Sequence, residues 1–312
     1  MLLEQIFGVN GELRTKLDVA IQRLKTFEPP DGYYVAFSGG KDSQCIYRLC
    51  QMAGVKFRAV YHVTSVDPPE LIYFIREHYP DVIFDVPHDA NGKRISMWSL
   101  IVENKIPPLR HMRYCCAQLK ETAGVGEVTV TGVRWAESAR RRANHGAVDI
   151  HGKPKTTQKR AEDMRVNYAI SKAGALIMND DNDESRRLVE QCFRTQKTML
   201  NPIVDWTDDE VWEFLNEIAK VPHCSLYDEG YTRIGCIGCP LGGYKQQLRD
   251  FERYPKFRAL YVRAFDRMLE QCRENGVLRY GWETGEDVMQ WWLRGMPPKE
   301  DTRKSGAKHF PA

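Results

Sequence analysis

A chain of 312 residues, 42% hydrophobic and 28% charged with no low-complexity tract, buries one large core or a core plus a smaller appendage, which excludes a disordered or fibrous protein. Its 45 basic and 42 acidic residues leave a formal net charge of +3, too little for the whole-molecule field to mark a polyanionic partner. No stretch approaches the roughly 18 apolar residues of a membrane span, and Met1 to Gly8 lacks a basic and then apolar leader, so a cytoplasmic location without a membrane partner is expected.

Leu13, Leu17, Ala20 and Leu24 recur at helical spacing, which predicts a helix from about Asn10 to Phe27, stopped by Pro29-Pro30. Tyr33 to Phe37 reads as a buried strand, a Gly-rich turn follows, and Gln44 to Met52 resumes a helical pattern. Strands are predicted at 57–64, 82–84 and 128–131, with helices at 69–79 and 98–104 between them. This alternation predicts an α/β class with a mostly parallel sheet and helices on both faces. Ligands of such sheets sit at the carboxyl ends of the strands, where the turn after Phe37 and the segment after Thr131 fall. From about 143 to 190 the pattern weakens into mixed charge and scattered glycines, which reads as an insertion or lid. Thr207 and Glu210 resemble a capping box opening a helix over 208–218, and further helices, including an aromatic-rich stretch from Phe251 to Phe265, close the chain.

Ser38-Gly39-Gly40-Lys41-Asp42-Ser43 lies between a predicted strand and a predicted helix. Two glycines permit close backbone approach to an anion, and N–H groups at a helix N-terminus, aided by the helix dipole, point at it. Lys41 and the hydroxyls of Ser38 and Ser43 add donors for phosphate oxygens. A lone Gly-Gly would be an ordinary turn; the whole hexapeptide resembles the signature loop of the PP-loop ATP pyrophosphatases. That resemblance implies ATP cleavage between the α and β phosphates, with Asp42 helping to hold Mg²⁺. A first-turn acid favoured by the helix dipole is the plainer role for Asp42.

Nine cysteines, an odd count, disfavour a closed disulfide framework. Cys115-Cys116 and Cys236-Ile237-Gly238-Cys239 supply two pairs of soft ligands suited to zinc or an iron–sulfur cluster. Cys45, Cys50, Cys192 and Cys272 lie in apolar or helical settings and read as buried thiols, while Cys224 is either buried or a sulfur acceptor.

The run from Val221 to Cys239 resembles the corresponding stretch of the sulfonucleotide reductases. So do Tyr114-Cys115-Cys116 with Lys120, Thr131-Gly132-Val133-Arg134 with Ser138, and Pro202 to Thr207, which together cover roughly residues 33 to 240. The resemblance implies a PP-loop, adenine nucleotide alpha-hydrolase-like fold with a smaller C-terminal helical segment. It divides the chain into a nucleotide-binding domain over 1–210 and a cysteine-cluster and helical region over 211–312. It assigns Cys115, Cys116, Cys236 and Cys239 to one [4Fe-4S] cluster, as in the adenylylsulfate reductase branch. It also places Lys120 and Arg134 near phosphate or sulfate groups, where guanidinium geometry suits bidentate contact. Arg140, Arg141 and Arg142 read as a solvated basic face, and Trp206 as core.

Two departures shape the functional expectation. This chain carries the complete ATP form of the loop, which sulfonucleotide reductases usually do not keep. Its segment Lys304 to Ala312 lacks the cysteine of the reductases' C-terminal Glu-Cys-Gly-Leu-His. An ATP-type loop joined to a reductase-like cluster is also found in the iron–sulfur ATP pyrophosphatases of DNA phosphorothioation systems. The expected activity is therefore adenylation by ATP coupled to sulfur transfer, with Lys41, Asp42, Arg134 and Lys120 carrying the chemistry. The expected partners are an adenine nucleotide, a small-molecule or nucleic-acid sulfur acceptor, and a redox or sulfur-donor protein, with a homo-oligomer left open. A sulfonucleotide reductase releasing sulfite and a nucleotide- and redox-sensing binding module are the alternatives.

Overall fold

The computed structural model describes residues 2–7, 13–121, 124, 126–276 and 281–294. The C-terminal run Lys304 to Ala312 lies outside them.

A short antiparallel pair, β1 (Gln5–Phe7) and β2 (Leu13–Thr15), leads into α1 (Lys16–Thr26). Thr15 and Asp18 form a reciprocal capping box, with the Asp18 N–H donating to Thr15 Oγ1 and the Thr15 N–H to Asp18 Oδ2, both at 3.0 Å. The helix expected from Asn10 therefore opens at Lys16, and Leu13 belongs to a strand. β3 (Tyr33–Ala36) runs through the Gly-rich turn into α2 (Lys41–Ala53), which ends on Gly54 at φ +69°, a left-handed cap. The last three residues of the Ser38–Ser43 motif are thus helical.

β4 (Phe57–His62), α3 (Pro69–His78) and β5 (Ile83–Asp85) follow, then α4 (Met97–Asn104), α5 (Tyr114–Leu119) and β6 (Val128–Val130). The middle of the chain forms α6 (Ala139–Asn144), β7 (Val148–His151), α7 (Pro154–Asp163), β8 (Ala169–Ile170) and β9 (Leu176–Met178). α8 (Asp183–Cys192) and β10 (Lys197–Leu200) complete it. The stretch expected as an insertion or lid thus supplies three short strands and two full helices. The Thr207–Glu210 capping box opens α9 (Asp208–Glu213), and a π-helical turn over Phe214–Ile218 continues it. The remaining α-helices among the described residues are α10 (Gly243–Arg253), α11 (Pro255–Glu274) and α12 (Gly285–Arg294).

Eight strands form one sheet in the order β5-β4-β3-β6-β10-β7-β9-β8. The four pairings from β5 to β10 are parallel and the three from β10 to β8 antiparallel. The expected class, α/β with a mostly parallel sheet, helices on both faces and a helical C-terminal segment, is the one the chain adopts. From β3 the chain builds β4 and β5 on one side, then returns with β6 on the other. Strand order reverses there, which makes the carboxyl ends of β3 and β6 the topological switch point.

The chain divides into two compact units. The sheet unit holds the described residues of 1–62, 69–85 and 122–234, so residues 211–234, assigned to the C-terminal region in the sequence, pack with the sheet. The second unit gathers 63–68, 86–121 and the described residues from 235 onward. Its core joins Leu100 and Ile101 of α4, Phe265 and Met268 of α11, and Val288 and Trp292 of α12, with Ile237 against them. Among the described residues no helix is long and apolar enough to cross a membrane.

Candidate functional site

Within the sheet unit, the loop after β3 turns sharply because Gly39 adopts φ +73°. A side chain there would also meet Ile75 Cδ1 at 2.6 Å and Leu71 Cδ1 at 2.8 Å. Gly40 is the N-cap of α2 and supplies no capping side chain, so the first N–H groups of the helix look for acceptors elsewhere. The Lys41 N–H donates to the Tyr227 hydroxyl at 2.9 Å. Ser43 Oγ donates to the Gly40 carbonyl at 2.8 Å, and Ser38 Oγ to Ser43 Oγ at 3.3 Å, so both hydroxyls line the turn. Burial pushes the Tyr227 phenol well above its ordinary range, which keeps it a neutral acceptor for the helix end.

The exit of β6 lies against the first turn of α2. A Cβ on Gly132 would come within 2.8 Å of Asp42 Cβ and 3.1 Å of the Asp42 backbone, so only glycine allows this approach. Two residues on, the Arg134 side chain is almost wholly buried. Its Nε donates to Asp42 Oδ1 at 2.7 Å, its Nη2 to Asp208 Oδ1 at 2.6 Å, and its Nη1 to the Trp206 carbonyl at 3.4 Å. Lys41 is also buried; its Nζ donates to the Thr232 carbonyl at 3.2 Å and pairs with Asp208 at 3.5 Å and Asp42 at 4.0 Å. Lys41, Asp42 and Arg134 therefore meet in one ionic group.

Asp208, the first residue of α9, completes that group, although the sequence alone offers it only as one of three acids in a helix first turn. Burial disfavours its charge, but the hydrogen bond from Arg134 and the charges of Lys41 and Arg134 outweigh this and hold its carboxyl below the usual value. Arg140 and Arg142 are exposed, as a solvated face requires. Arg141 donates to Glu137 at 3.0 Å, and its pKa is lowered first by burial and then by the charges of Arg233 and Arg134. Cations thus crowd the exit of β6. Trp206 is fully buried against Phe214, in the core role expected of it.

Within the second unit, Cys115 and Cys116 occupy the first turn of α5, and Cys236 and Cys239 flank a tight turn. Gly238 enters that turn at φ +73°, where a side chain would strike Phe251 Cζ at 2.5 Å. Its N–H donates to Asp250 at 2.9 Å, the Ile237 N–H donates to the Val66 carbonyl at 2.8 Å, and the Tyr261 hydroxyl donates to the Ile237 carbonyl at 3.0 Å. The CxxC turn is therefore rigidly seated on α10 and α11. Cys236 Sγ donates to Thr64 Oγ1 at 3.5 Å.

The four thiols are partly accessible, in no disulfide, and act on one another. The hydrogen bond from Cys115, aided by Arg113 and the charge of Lys120, lowers the Cys116 thiol below its ordinary range. Cys115 is pushed up by that same hydrogen bond, by burial, and by the charges of Cys116, Cys236 and Cys239. Lys120 keeps much of its side chain in solvent yet reaches Cys236, whose charge, with that of Asp67, raises its ammonium pKa. Four soft sulfurs with two neighbouring cations suit a thiolate-held metal group. Among the described residues no three His, Cys, Asp or Glu side chains stand together as a ready-made metal-holding group, and the fit rests on the softness of the four thiols and on the cations beside them. Cys45, Cys50, Cys192, Cys224 and Cys272 are buried.

Comparison with known proteins agrees with this architecture. A family model described as the phosphoadenosine phosphosulfate reductase domain matches residues 32–241. An adenosine 5'-phosphosulfate reductase of Oceanobacillus iheyensis is 45% identical over 76 residues, which is 24% of this chain and 27% of that protein. An uncharacterized protein of Methanocaldococcus jannaschii is 31% identical over 110 residues, 34% of this chain and 23% of that protein. A probable FAD synthase of Schizosaccharomyces pombe is 22% identical over 236 residues, 75% of this chain and 69% of that protein. The chain spans about a quarter of the length of the first two of these relatives. The family match covers the phosphate loop, both cysteine pairs, Arg134 and Asp208 in one continuous stretch; the chain belongs to the phosphoadenosine phosphosulfate reductase domain family.

Proposed function

We propose that this chain is an ATP pyrophosphatase that adenylates an acceptor and couples this to sulfur transfer. The observation that carries the reading is the complete Ser38–Ser43 loop at the carboxyl end of β3, with Lys41 and Arg134 beside it at the switch point. In this reading Ser38, Gly39, Gly40, Lys41, Asp42 and Ser43 surround the phosphates of ATP. Lys41 stabilises charge on the leaving pyrophosphate, Arg134 orients the nucleotide or acceptor, and Asp42 holds Mg²⁺, which neutralises the leaving group.

Cys115, Cys116, Cys236 and Cys239 would hold a [4Fe-4S] cluster, with Lys120 compensating thiolate charge. When bound, that cluster would supply electrons or a sulfur relay. The acceptor is a small molecule or a nucleic acid, and the sulfur comes from a donor protein.

A second reading, a sulfonucleotide reductase releasing sulfite, is favoured by the names of two relatives. Both are adenosine 5'-phosphosulfate reductases, 45% and 42% identical over 76 and 40 residues. Incubating anaerobically purified protein separately with ATP, adenylylsulfate and phosphoadenosine phosphosulfate separates the readings. Pyrophosphate and AMP from ATP support the first, and thiol-dependent sulfite supports the second. Tight nucleotide binding without any product would replace both with a sensing module.

A further inference from the structure

The two cations beside the phosphate loop are balanced by two carboxylates that are not equally fixed. Asp42 belongs to the first turn of α2, its backbone is packed on Gly132, and 28% of its side chain is exposed. Asp208 has 61% of its side chain exposed. The capping of α9 does not depend on it, because Glu210 Oε2 accepts from the Thr207 N–H at 2.8 Å and Thr207 Oγ1 from the Glu210 N–H at 3.2 Å. A side-chain rotation therefore frees the Asp208 carboxylate into solvent without unwinding a helix, whereas Lys41 and Arg134 are buried and stay. One oxygen, Asp208 Oδ1, meets both cations, at 3.5 Å from Lys41 Nζ and 2.6 Å from Arg134 Nη2. An anionic oxygen bridging an ammonium and a guanidinium is the arrangement a phosphate oxygen makes.

We infer that Asp208 is a built-in competitor of the phosphate site: its carboxylate occupies Lys41 and Arg134 until a polyphosphate displaces it, and so sets the affinity of the loop. The inference rests on the reading of Ser38–Ser43 as a polyphosphate site. Every anion that uses these two cations must first break the Asp208 contacts, so the resident carboxylate weakens binding while sparing two buried cations from sharing Asp42 as their one carboxylate. Asp209 carries the same charge one residue along the same helix turn, but no ion pair joins it to Lys41 or Arg134 among the described residues.

The test is a calorimetric titration of full-length protein with pyrophosphate and with ATP. Wild type is compared with Asp208→Asn, Asp208→Ser, Asp209→Asn and the double variant Asp208→Asn/Lys41→Ala, each checked for folding by thermal melt. Both Asp208 variants should bind at least about tenfold tighter than wild type, and Asp209→Asn within about twofold of it. The double variant should lose most of the gain, because one of the released cations is gone. Folded Asp208 variants that bind no tighter than wild type overturn the inference. An equal gain in Asp209→Asn also overturns it, since a general field rather than a contact would then be at work. Absence of binding in wild type and all variants overturns the polyphosphate reading itself, and this inference with it.

Discussion

Arg134 Nε stands 2.7 Å from Asp42 Oδ1, a hydrogen bond that ties the exit of β6 to the first turn of α2 across 92 residues of sequence. The two strands it links flank the switch point of the sheet. A buried guanidinium thus fixes the helix N-terminus to which the phosphate loop leads.

Replacing Arg134 by Met should destabilise the protein by about 1–3 kcal/mol, because two carboxylates lose a charge-assisted partner and remain close together. Arg134→Lys should recover only part of this, since one ammonium cannot present the two-sided fork that reaches Asp42 and Asp208. Urea unfolding of the three proteins checks both statements, and a fully restored Lys variant would contradict the bidentate role.

Acid should reveal the same pairing. Asp208 is held below its ordinary value of 3.8, burial opposing and Arg134 and Lys41 prevailing. A carboxyl depressed in the folded state adds stability above its unfolded pKa and loses it as pH falls through the folded one. The stability difference between wild type and Asp208→Asn should be complete at neutral pH and shrink below about pH 4. A difference that widens in acid would mean that Asp208 is not held ionised by its neighbours.

Gly132→Ala should weaken nucleotide binding more than it weakens the fold. The added methyl meets backbone and Cβ of Asp42 rather than a flexible side-chain tip, so α2 must shift at the turn that carries the loop. A stability loss of about 1–3 kcal/mol is expected from overpacking. Calorimetric titration with ATP should show binding largely lost in protein that still melts cooperatively, and unchanged affinity would dissociate the β6 exit from the site.

Much of the fold was legible because its signals are local. Alternating strands and helices, the Thr207–Glu210 box and the Gly-rich turn each act within a few residues, and the structure places them where expected. α1 starts later than its periodicity suggests, because the Thr15–Asp18 capping box overrides the apolar spacing that continues upstream to Leu13. Residues 143–190 looked irregular because β8 and β9 have two and three residues, too few to show alternation. Asp208 was hidden for a different reason: its importance arises only when the exit of β6 and the start of α9 converge on Lys41. The same convergence places Lys41 against Thr232 and Asp208, which no spacing in the sequence reveals.

The cysteine group offers a prediction independent of nucleotide chemistry. Anaerobically purified protein should contain iron and acid-labile sulfide and show the broad visible absorption of an iron–sulfur cluster. Cys236→Ser and Cys239→Ser should each abolish it, whereas Cys45→Ser, at a buried thiol of the sheet unit, should not. Stoichiometric zinc without iron in such samples would replace the cluster with a structural metal site.

Titration of wild type and Lys41→Ala with ATP in the presence of Mg²⁺ tests the proposed phosphate site most directly. Wild type should bind ATP, and Lys41→Ala should bind it on the order of tenfold or more weakly, the loss expected for one charge-assisted contact of about 1.5–3 kcal/mol. Equal affinity of the two proteins for ATP would contradict the assignment of Ser38–Ser43 as the polyphosphate site.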